Sequence, residues 1–364
     1  MKSLRIAGVM SGTSADGIDV AVMRISPAWR WWLEATHHAA YSRSERQAIL
    51  AAAGDQATTS EIAALHGALG RRIGRAVRAC DLSSLNAVAS HGQTVFHAGR
   101  RATLQLGDAA MVAALAGAAV ISDFRAADIA QGGEGAPLVP WSDGKLFAHP
   151  TRPRVVLNLG GIANLTFLPA GGEPAGIRGF DTGPGNMALD AFMQQISNGR
   201  QAYDKNGDYA VLGRVQPELL QALLQHPYFR RQPPKSCGRE QFGAAYVAGI
   251  RRRFPRFNRH DLMATLVALT AHTVARHLPQ EATEVIAAGG GTRNRALMAA
   301  LKEAAPQARF LRSEEFGVPS QFREAMAFAM LGAAHLRGVP ANLPAVTGAR
   351  RAVVLGSFTP APPQ

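Results

Sequence analysis

The residues most suited to chemistry near the start of the chain lie in one glycine-containing segment that also carries hydroxyl and carboxylate side chains. Its members are Gly12, Thr13, Ser14, Ala15, Asp16, Gly17, Ile18 and Asp19. Glycines let backbone N–H groups approach phosphate oxygens, the hydroxyls add donors, and carboxylates can hold the water shell of Mg²⁺. Because a tight hairpin needs only the Asp16-Gly17 pair, the additional groups favour a phosphate-binding loop.

A second candidate places an aspartate at a rigid, glycine-lined turn. Asp181 is followed by Thr182-Gly183-Pro184-Gly185-Asn186, and a helical pattern begins at Met187 with Asn186 as its expected N-cap. Such a carboxylate could take a proton from an attacking hydroxyl or water while neighbouring amides hold phosphates. A loop aspartate that only satisfies local backbone amides would look the same, so this motif alone leaves both interpretations open.

A third candidate is a glycine triplet, Gly289, Gly290 and Gly291, with Asn294 close behind. Three glycines after a strand would let the backbone lie flat against a ligand such as a nucleoside. Close packing of a helix on a strand explains such glycines nearly as well.

Two further segments carry polar groups suited to reading sugar hydroxyls. They contain His91, Gln93, Thr94 and His97 in one case, and residues 131–140 in the other. The spacing between His91 and His97 matches no helical face and no third ligand stands near in sequence, so hydrogen bonding is favoured over metal binding.

The elements that must position these residues follow from local patterns. Strands are predicted at residues 4–10 and 18–25 around the first loop, and at residues 154–159 and 162–168 around Gly160-Gly161. The repeated strand-loop-strand order suggests an internal duplication. Other predictions are a helix after the capping box Thr58-x-x-Glu61, a strand at 284–288 and a helix at 292–301, a buried helix at 324–336 and a strand at 352–355.

The length of 364 residues fits two α/β domains. We predict domains at residues 1–130 and 131–364, with a C-terminal tail that could pack back on the first. Neither Gly-x-x-x-x-Gly-Lys-Ser/Thr nor Gly-x-Gly-x-x-Gly before a helix fits the glycine loops, which disfavours P-loop and dinucleotide-binding folds.

The formal net charge of +13 raises nucleic-acid binding as an option. However, the clusters Arg71-Arg72 and Arg251-Arg252-Arg253 lack interleaved aromatic residues for base stacking. A solvated basic face or attraction of anionic substrates is favoured, and no nucleic-acid partner is predicted. Cys80 and Cys237 suggest neither a disulfide framework nor a zinc site. With no signal-peptide core and no apolar run of the ~20 residues that span a bilayer, we expect a cytoplasmic protein without membrane attachment.

Taken together, these segments resemble the anhydro-N-acetylmuramic acid kinases, a bacterial family. The resemblance spans nearly the whole chain, and it is carried by Met10-Ser11-Gly12-Thr13-Ser14-x-Asp16-Gly17-x-Asp19, Ser90-His91-Gly92-Gln93-Thr94-x-x-His97, Gln105-x-Gly107-Asp108, Asp123-Phe124-Arg125, Asn158-x-Gly160-Gly161-x-Ala163-Asn164, Phe180-Asp181-Thr182-Gly183-Pro184-Gly185-Asn186 and Pro233-Pro234-Lys235-Ser236-x-Gly238-Arg239-Glu240.

The resemblance implies two duplicated actin/hexokinase-like (ribonuclease H-like) α/β domains with a cleft between them. It implies a reaction in which ATP, 1,6-anhydro-N-acetylmuramic acid and water give ADP and N-acetylmuramic acid 6-phosphate, a step of peptidoglycan recycling. Mg²⁺ is the implied metal ion and a homodimer the implied assembly. A kinase for a different sugar or carboxylate on this fold, or a non-catalytic sugar or nucleotide sensor, stays as an alternative.

Site residues are also implied by the resemblance. The catalytic residues would be Asp181 and Glu324. Cofactor contacts would come from residues 12–19 and from Gly160, Gly161, Gly183, Gly289, Gly290, Gly291 and Asn294. Substrate contacts would come from His91, Gln93, Thr94, Asp123, Arg125 and Glu134. The chain departs from the family pattern at Glu134, where Gln is common, at Gln321, where Asp is common, and at Trp141-Ser142-Asp143.

Overall fold

The computed structural model describes residues 2–81, 84–233 and 235–363. Pro234, part of a motif named above, lies outside the described residues, as do the outermost positions of the predicted domains, Met1 and Gln364. Within the described ranges, no helix combines the length and apolar character needed to cross a membrane.

The strands, in chain order, are β1 (Leu4–Ser11), β2 (Gly17–Ile25), β3 (Trp31–Ala40), β4 (Ala87–Ala98), β5 (Ala102–Leu106), β6 (Val120–Ser122), β7 (Arg154–Leu159), β8 (Ile162–Leu168), β9 (Arg178–Pro184), β10 (Glu284–Ala288), β11 (Arg309–Arg312) and β12 (Ser357–Thr359). The helices are α1 (Arg43–Ala53), α2 (Thr59–Arg78), α3 (Ala109–Ala116), α4 (Phe124–Ala130), α5 (Val139–Phe147), α6 (Met187–Ile196), α7 (Pro217–Leu224), α8 (Arg239–Phe242), α9 (Ala244–Arg253), α10 (Arg259–Ala275), α11 (Arg295–Ala304), α12 (Arg323–Leu336) and α13 (Pro344–Thr347).

The chain forms two compact units. The first comprises Met1–Leu146 and Gly317–Gln364, and the second is the continuous segment Phe147–Phe316. The division of the sequence into domains 1–130 and 131–364 stays a prediction, and these units do not coincide with it.

The two sheets follow the same plan. The sheet of the first unit has seven strands in the order β12-β6-β4-β1-β2-β3, with β5 paired to β4 off this path. In the part it shares with the other sheet, β3-β2-β1-β4-β6, the strands β1, β2 and β3 are antiparallel, and β4 and β6 are parallel to β1. In the second unit the order is β9-β8-β7-β10-β11, again with three antiparallel strands followed by two parallel ones. This confirms the predicted α/β class with two domains built on one plan.

Helix α12 lies directly on β1 in the first unit. A Cβ added to Gly8 would stand 1.9 Å from the carbonyl oxygen of Ala325, and one added to Gly332 would stand 2.6 Å from the Cβ of Ala89. Helix and sheet approach this closely because both surfaces carry glycine and alanine. The opposite face of the sheet is covered by an apolar layer that includes Ile73. The core of the second unit surrounds α10, which is buried over most of its surface.

Most predicted elements are confirmed, including the capping box of α2. The strand predicted at residues 352–355 is wrong, because the terminal strand is β12, which pairs with β6. The backbone groups of Val353 are instead bonded locally: its N–H donates to the side chain of Asn342 at 2.6 Å and its carbonyl accepts from Ala341 at 3.1 Å.

Candidate functional site

Asp181 lies on β9 where the strand is interrupted by a bulge. The register shifts between Asn164 and Ala163, which leaves Thr182 as the extra residue of β9. Bulges bend a strand and change the direction of neighbouring side chains. The hydroxyl of Thr182 donates to the carbonyl oxygen of Ala163 at 3.1 Å and so fixes the distortion.

The surroundings of Asp181 hold its backbone at two points and its carboxylate at a third. Its N–H donates to the carbonyl of Lys235 at 3.1 Å, and its own carbonyl accepts from the Tyr228 hydroxyl at 2.6 Å. Its carboxylate accepts from the Cys237 N–H at 3.1 Å. Beside it, the buried Lys235 ammonium donates to Nε2 of His277 at 3.1 Å.

Burial raises the pKa of Asp181 to about 6, although the Cys237 N–H partly opposes the shift. A carboxylate with a pKa near neutrality is a better proton acceptor than an ordinary aspartate and is still mostly ionised at pH 7. The raised pKa is consistent with a general base, and the catalytic role of Asp181 stays a prediction.

The three glycines after β10 do not share one role: two of them allow close packing, and one is open to a ligand. Gly289 has φ of +89°, and added Cβ atoms at Gly289 and Gly291 would lie 2.8 Å from the carbonyl and 2.7 Å from the Cβ of Leu159. These two glycines serve packing. At Gly290 an added Cβ would meet nothing within 4 Å, so this backbone is open to a ligand. Asn294 caps α11 by accepting from the N–H of Leu297 at 3.0 Å.

The turn at Gly160 and Gly161 supports the start of α6. Their carbonyls accept from the N–H groups of Asn186 (2.8 Å) and of Gly185 (2.9 Å). Asn186 precedes α6 as predicted, but its side chain does not cap the helix. Its amide donates to the carbonyls of Leu159 and Gly160 at 3.1 Å each, because the helix end lies against this turn.

Gly183 has a structural reason to be glycine. Its φ is +153°, and an added Cβ would lie 2.7 Å from the ring of Phe229. A nucleotide contact by Gly183 stays a prediction.

In the first unit, residues 12–16 form the turn between β1 and β2. The Ala15 N–H donates to the Gly12 carbonyl at 3.1 Å, and Ala15 has a positive φ of 50°. Thr13, Ser14 and Asp16 are exposed, whereas the side chains of Ala15 and Ile18 are fully buried. The hydroxyls and one carboxylate are thus available to a ligand. Asp19 is held by Nδ1 of His38 at 2.8 Å and by Nε2 of Gln321 at 3.0 Å.

Arg125 and His91 form a buried pair. The guanidinium contacts Nε2 of His91 at 2.9 and 3.1 Å and donates to the carbonyl of Gly135 at 2.8 Å. Burial and then the Arg125 charge lower the pKa of His91 to about 3. His91 is therefore neutral, with its Nδ1 hydrogen bonded to the carbonyl of Gly92 at 2.8 Å.

A cavity of about 300 Å³ adjoins this pair, lined by residues that include Ser90, His91, Gln105 and Asp123. The Ser90 hydroxyl and Oε1 of Gln105 are buried and have no hydrogen-bond partner among the described residues. Buried polar atoms without partners are costly unless a ligand or water satisfies them. Burial also raises the pKa of Asp123. The sequence motifs contain Ser90 and Gln105 but predict no role for them, because their lack of partners among the described residues is visible only in three dimensions.

Other predicted substrate residues have protein partners. Oε1 of Gln93 accepts from the Ser11 hydroxyl at 2.6 Å, which ties β4 to β1. Thr94 accepts from Nε2 of Gln105 at 3.2 Å. Glu134 forms an ion pair with Arg100 at 2.7 Å and is about half exposed. Their substrate contacts stay predictions.

Glu324 is the second residue of α12. Its carboxyl is partly buried, and burial raises its pKa, with Arg323 and then Arg125 acting in the opposite direction. The Arg125 charge therefore lowers the pKa of both Glu324 and His91. The structure brings Glu324, Arg125 and His91 into one part of the first unit.

The described residues contain no group of three or more His, Cys, Asp or Glu side chains placed to hold a metal ion.

A family model described as anhydro-N-acetylmuramic acid kinase matches residues 4–361. A Thiobacillus denitrificans protein named anhydro-N-acetylmuramic acid kinase is 42% identical over 367 residues, which cover 97% of this chain and 96% of the relative. The match therefore includes every site residue discussed above.

Solved structures whose chains follow a similar path include an activator of 2-hydroxyisocaproyl-CoA dehydratase from Clostridium difficile with bound ADPNP. It is 12% identical, with a TM-score of 0.44, and the match covers 90% of this chain and 93% of the other. A ROK family glucokinase from Streptomyces griseus in complex with glucose and AMPPNP is 12% identical, with a TM-score of 0.38, covering 90% and 98%.

Proposed function

Since the chain belongs to the anhydro-N-acetylmuramic acid kinase family, we propose that Asp181 is the base of a coupled ring-opening and phosphoryl-transfer reaction. The enzyme is a kinase for 1,6-anhydro-N-acetylmuramic acid that uses ATP. The observation that carries the proposal for Asp181 is its pKa of about 6 at a bulged, hydrogen-bonded strand position.

The chemistry requires two bonds to break. Asp181 takes a proton from water, and the water oxygen attacks the anomeric carbon of the sugar. The bond between that carbon and O6 breaks, and O6 attacks the γ-phosphorus of ATP as the bond to the β-phosphate oxygen breaks. The products are ADP and N-acetylmuramic acid 6-phosphate. Such a product suits a role in peptidoglycan recycling.

We assign the nucleotide to backbone and hydroxyl donors. Thr13 and Ser14 are exposed in the β1–β2 turn and would contact phosphates, and the open backbone at Gly290 would contact the nucleoside. Mg²⁺ would neutralise charge on the phosphate oxygens. Asp16, which is exposed beside the turn, could reach the ion through water.

We assign the sugar to the polar cavity of the first unit. The unpaired atoms of Ser90 and Gln105 and the carboxyl of Asp123 match a ligand that offers several hydroxyl and amide groups. A volume of about 300 Å³ lies at the lower end of the range for small-molecule sites. Glu324 would orient water or the sugar, and Arg125 is suited to pairing with the lactyl carboxylate.

A cytoplasmic location and a homodimer belong to the same proposal. The homodimer rests on the family resemblance, and the location rests on the two isolated cysteines and the lack of an apolar run of the ~20 residues that span a bilayer. The rival functions are a kinase for another sugar or carboxylate and a sensor without turnover. The buried, ionisable Asp181 favours an enzyme over a sensor.

The test is ADP release by the purified protein with Mg²⁺-ATP and 1,6-anhydro-N-acetylmuramic acid, run beside ordinary N-acetylmuramic acid. Phosphorus NMR identifies the product. We expect a sugar 6-phosphate from the anhydro sugar and its loss in Asp181→Asn. ATP binding without turnover of the anhydro sugar would overturn the substrate assignment.

The chain offers a matched control for Asp181. Burial raises the pKa of Asp190, on α6, to about 6 as well, and Asp190 has no proposed role. Asp190→Asn should retain turnover. Equal losses in both variants would contradict a specific role for Asp181.

A further inference from the structure

A buried ion pair in the first unit connects α5 to the first turn of α12. Nε of Arg323 donates to Oδ1 of Asp143 at 3.2 Å and Nη2 donates to Oδ2 at 2.5 Å. The two side chains are 4% and 0% exposed. Contacts through both carboxylate oxygens fix direction as well as distance.

Neighbouring contacts hold the same turn. The Ser142 hydroxyl on α5 donates to the carbonyl of Ala327 at 2.9 Å. On the other side, Gln321 precedes α12 and donates to Asp19 of β2 at 3.0 Å. The turn that carries Glu324 is therefore bonded both to α5 and to the sheet.

The stability of the fold does not by itself explain a pair buried this deeply. Removing two charges from water is costly, and replacement of such a pair by apolar residues of similar size is often neutral or stabilising. An apolar contact between α5 and α12 would hold the helices together but would lack the directional, two-point contact that the ion pair gives the first turn of α12. The ion pair fixes the orientation of the first turn of α12, and a nearby reacting group needs a fixed orientation.

We propose that Asp143 and Arg323 are positioning residues that fix the first turn of α12 and so hold the Glu324 carboxylate in place for the reaction. Glu324 directly follows Arg323, so a small rotation of the helix would displace it. This inference rests on the proposed role of Glu324.

The charges around Glu324 control its pKa, which gives a second measurable effect of the ion pair. Burial raises the pKa of Glu324, Arg323 and Arg125 lower it, and Asp19 and Asp143 raise it, with Arg323 the strongest of the charges. If both members of the pair become apolar, the loss of Arg323 outweighs the loss of Asp143. The pKa of Glu324 then rises, so its ionisation adds to that of Asp181 on the acid side of the kcat profile, and that limb becomes steeper.

The experiment replaces the pair by Asp143→Leu with Arg323→Met in the full chain. We expect a folded protein with a melting temperature close to the original, a kcat lowered by about 10- to 100-fold because of misplacement, and a steeper acid limb of the kcat profile. The KM for ATP should change little. A control is Arg154→Met with Glu284→Leu, which removes a buried pair of the second unit with a 2.8 Å contact and should leave kcat unchanged.

The outcomes separate the two proposals. An inactive unaltered enzyme overturns the proposed function, and this inference with it. An active enzyme whose Asp143→Leu, Arg323→Met variant keeps the original kcat and pH profile overturns only the positioning role. If that variant does not fold, Arg323→Lys decides: it keeps the charge but loses the two-point contact, so a folded variant with lowered kcat supports positioning and one with full kcat overturns it.

Discussion

Asp181 illustrates a conflict between stability and reactivity at the scale of one residue. Its pKa is raised from 3.8 to about 6 in the folded chain. Between these values the folded state binds a proton that the unfolded state has lost, so the free energy of unfolding falls as the pH rises from about 4 to about 6. Above that range the cost of an ionised, buried carboxylate is fully present.

We therefore expect Asp181→Asn to stabilise the protein while it abolishes turnover. One pKa unit corresponds to about 1.36 kcal/mol, so the gain at pH 7.5 should be about 1–3 kcal/mol, and it should largely disappear at pH 4. Asparagine can still accept the Cys237 N–H. Urea unfolding at both pH values measures the effect. Asp190→Asn should show a gain of the same sign with turnover retained, and a loss of stability at pH 7.5 in Asp181→Asn would contradict the account.

At the scale of elements, the contact between α12 and β1 depends on small residues. Gly8 leaves room for the backbone of α12, since an added Cβ would stand 1.9 Å from the Ala325 carbonyl oxygen and 2.5 Å from the Ala329 nitrogen. These are backbone atoms, which cannot move aside without displacing the helix that carries Glu324.

Gly8→Ala should thus lower the free energy of unfolding by about 1–3 kcal/mol or more, as expected for overpacking. The control is Gly249→Ala on α9, where an added Cβ meets nothing within 4 Å. That change should be neutral or stabilise by about 0.5–1 kcal/mol, because alanine favours a helix. Chemical denaturation measures the free energy of unfolding of both glycine variants. Equal changes in the two would show that the α12–β1 contact is looser than described.

At the scale of the whole molecule, the order of segments along the chain determines which pieces can fold alone. The second unit is continuous from Phe147 to Phe316 and has its own core. The first unit is completed only when residues 317–364 supply α12 and β12.

We predict that a fragment of residues 147–316 unfolds cooperatively, whereas residues 1–146 alone stay unfolded or aggregate because the face of β1 is uncovered. Joining residues 1–146 to 317–364 by a short glycine-serine linker should restore folding. The rings of Phe147 and Phe316, which follow and precede the ends to be joined, have their centroids 5.9 Å apart. Circular dichroism and thermal unfolding measure all three proteins. A cooperative fold of residues 1–146 would contradict the role given to α12.

Local patterns in the sequence predict most of the elements and the side chains at their ends. The strands around the 12–19 segment, the capping box at Thr58 and the apolar helix after Glu324 are local patterns, and local hydrogen bonding and periodicity suffice to predict them. The tertiary structure decided which partners these residues have. Asp143 and Arg323 are 180 residues apart, and Asn186 is bonded to a turn of another hairpin rather than to its own helix.

Partners that are chosen only in the tertiary structure also explain why the strand predicted at residues 352–355 is wrong. Residues 352–355 have the composition of a strand, but Asn342 and Ala341 occupy the backbone groups of Val353. A sequence pattern reports what a segment can form, whereas competition for hydrogen bonds and burial between distant segments selects what it does form. The raised pKa of Asp181 and the unpaired atoms of Ser90 and Gln105 arise from that selection, since burial is a property of the assembled unit.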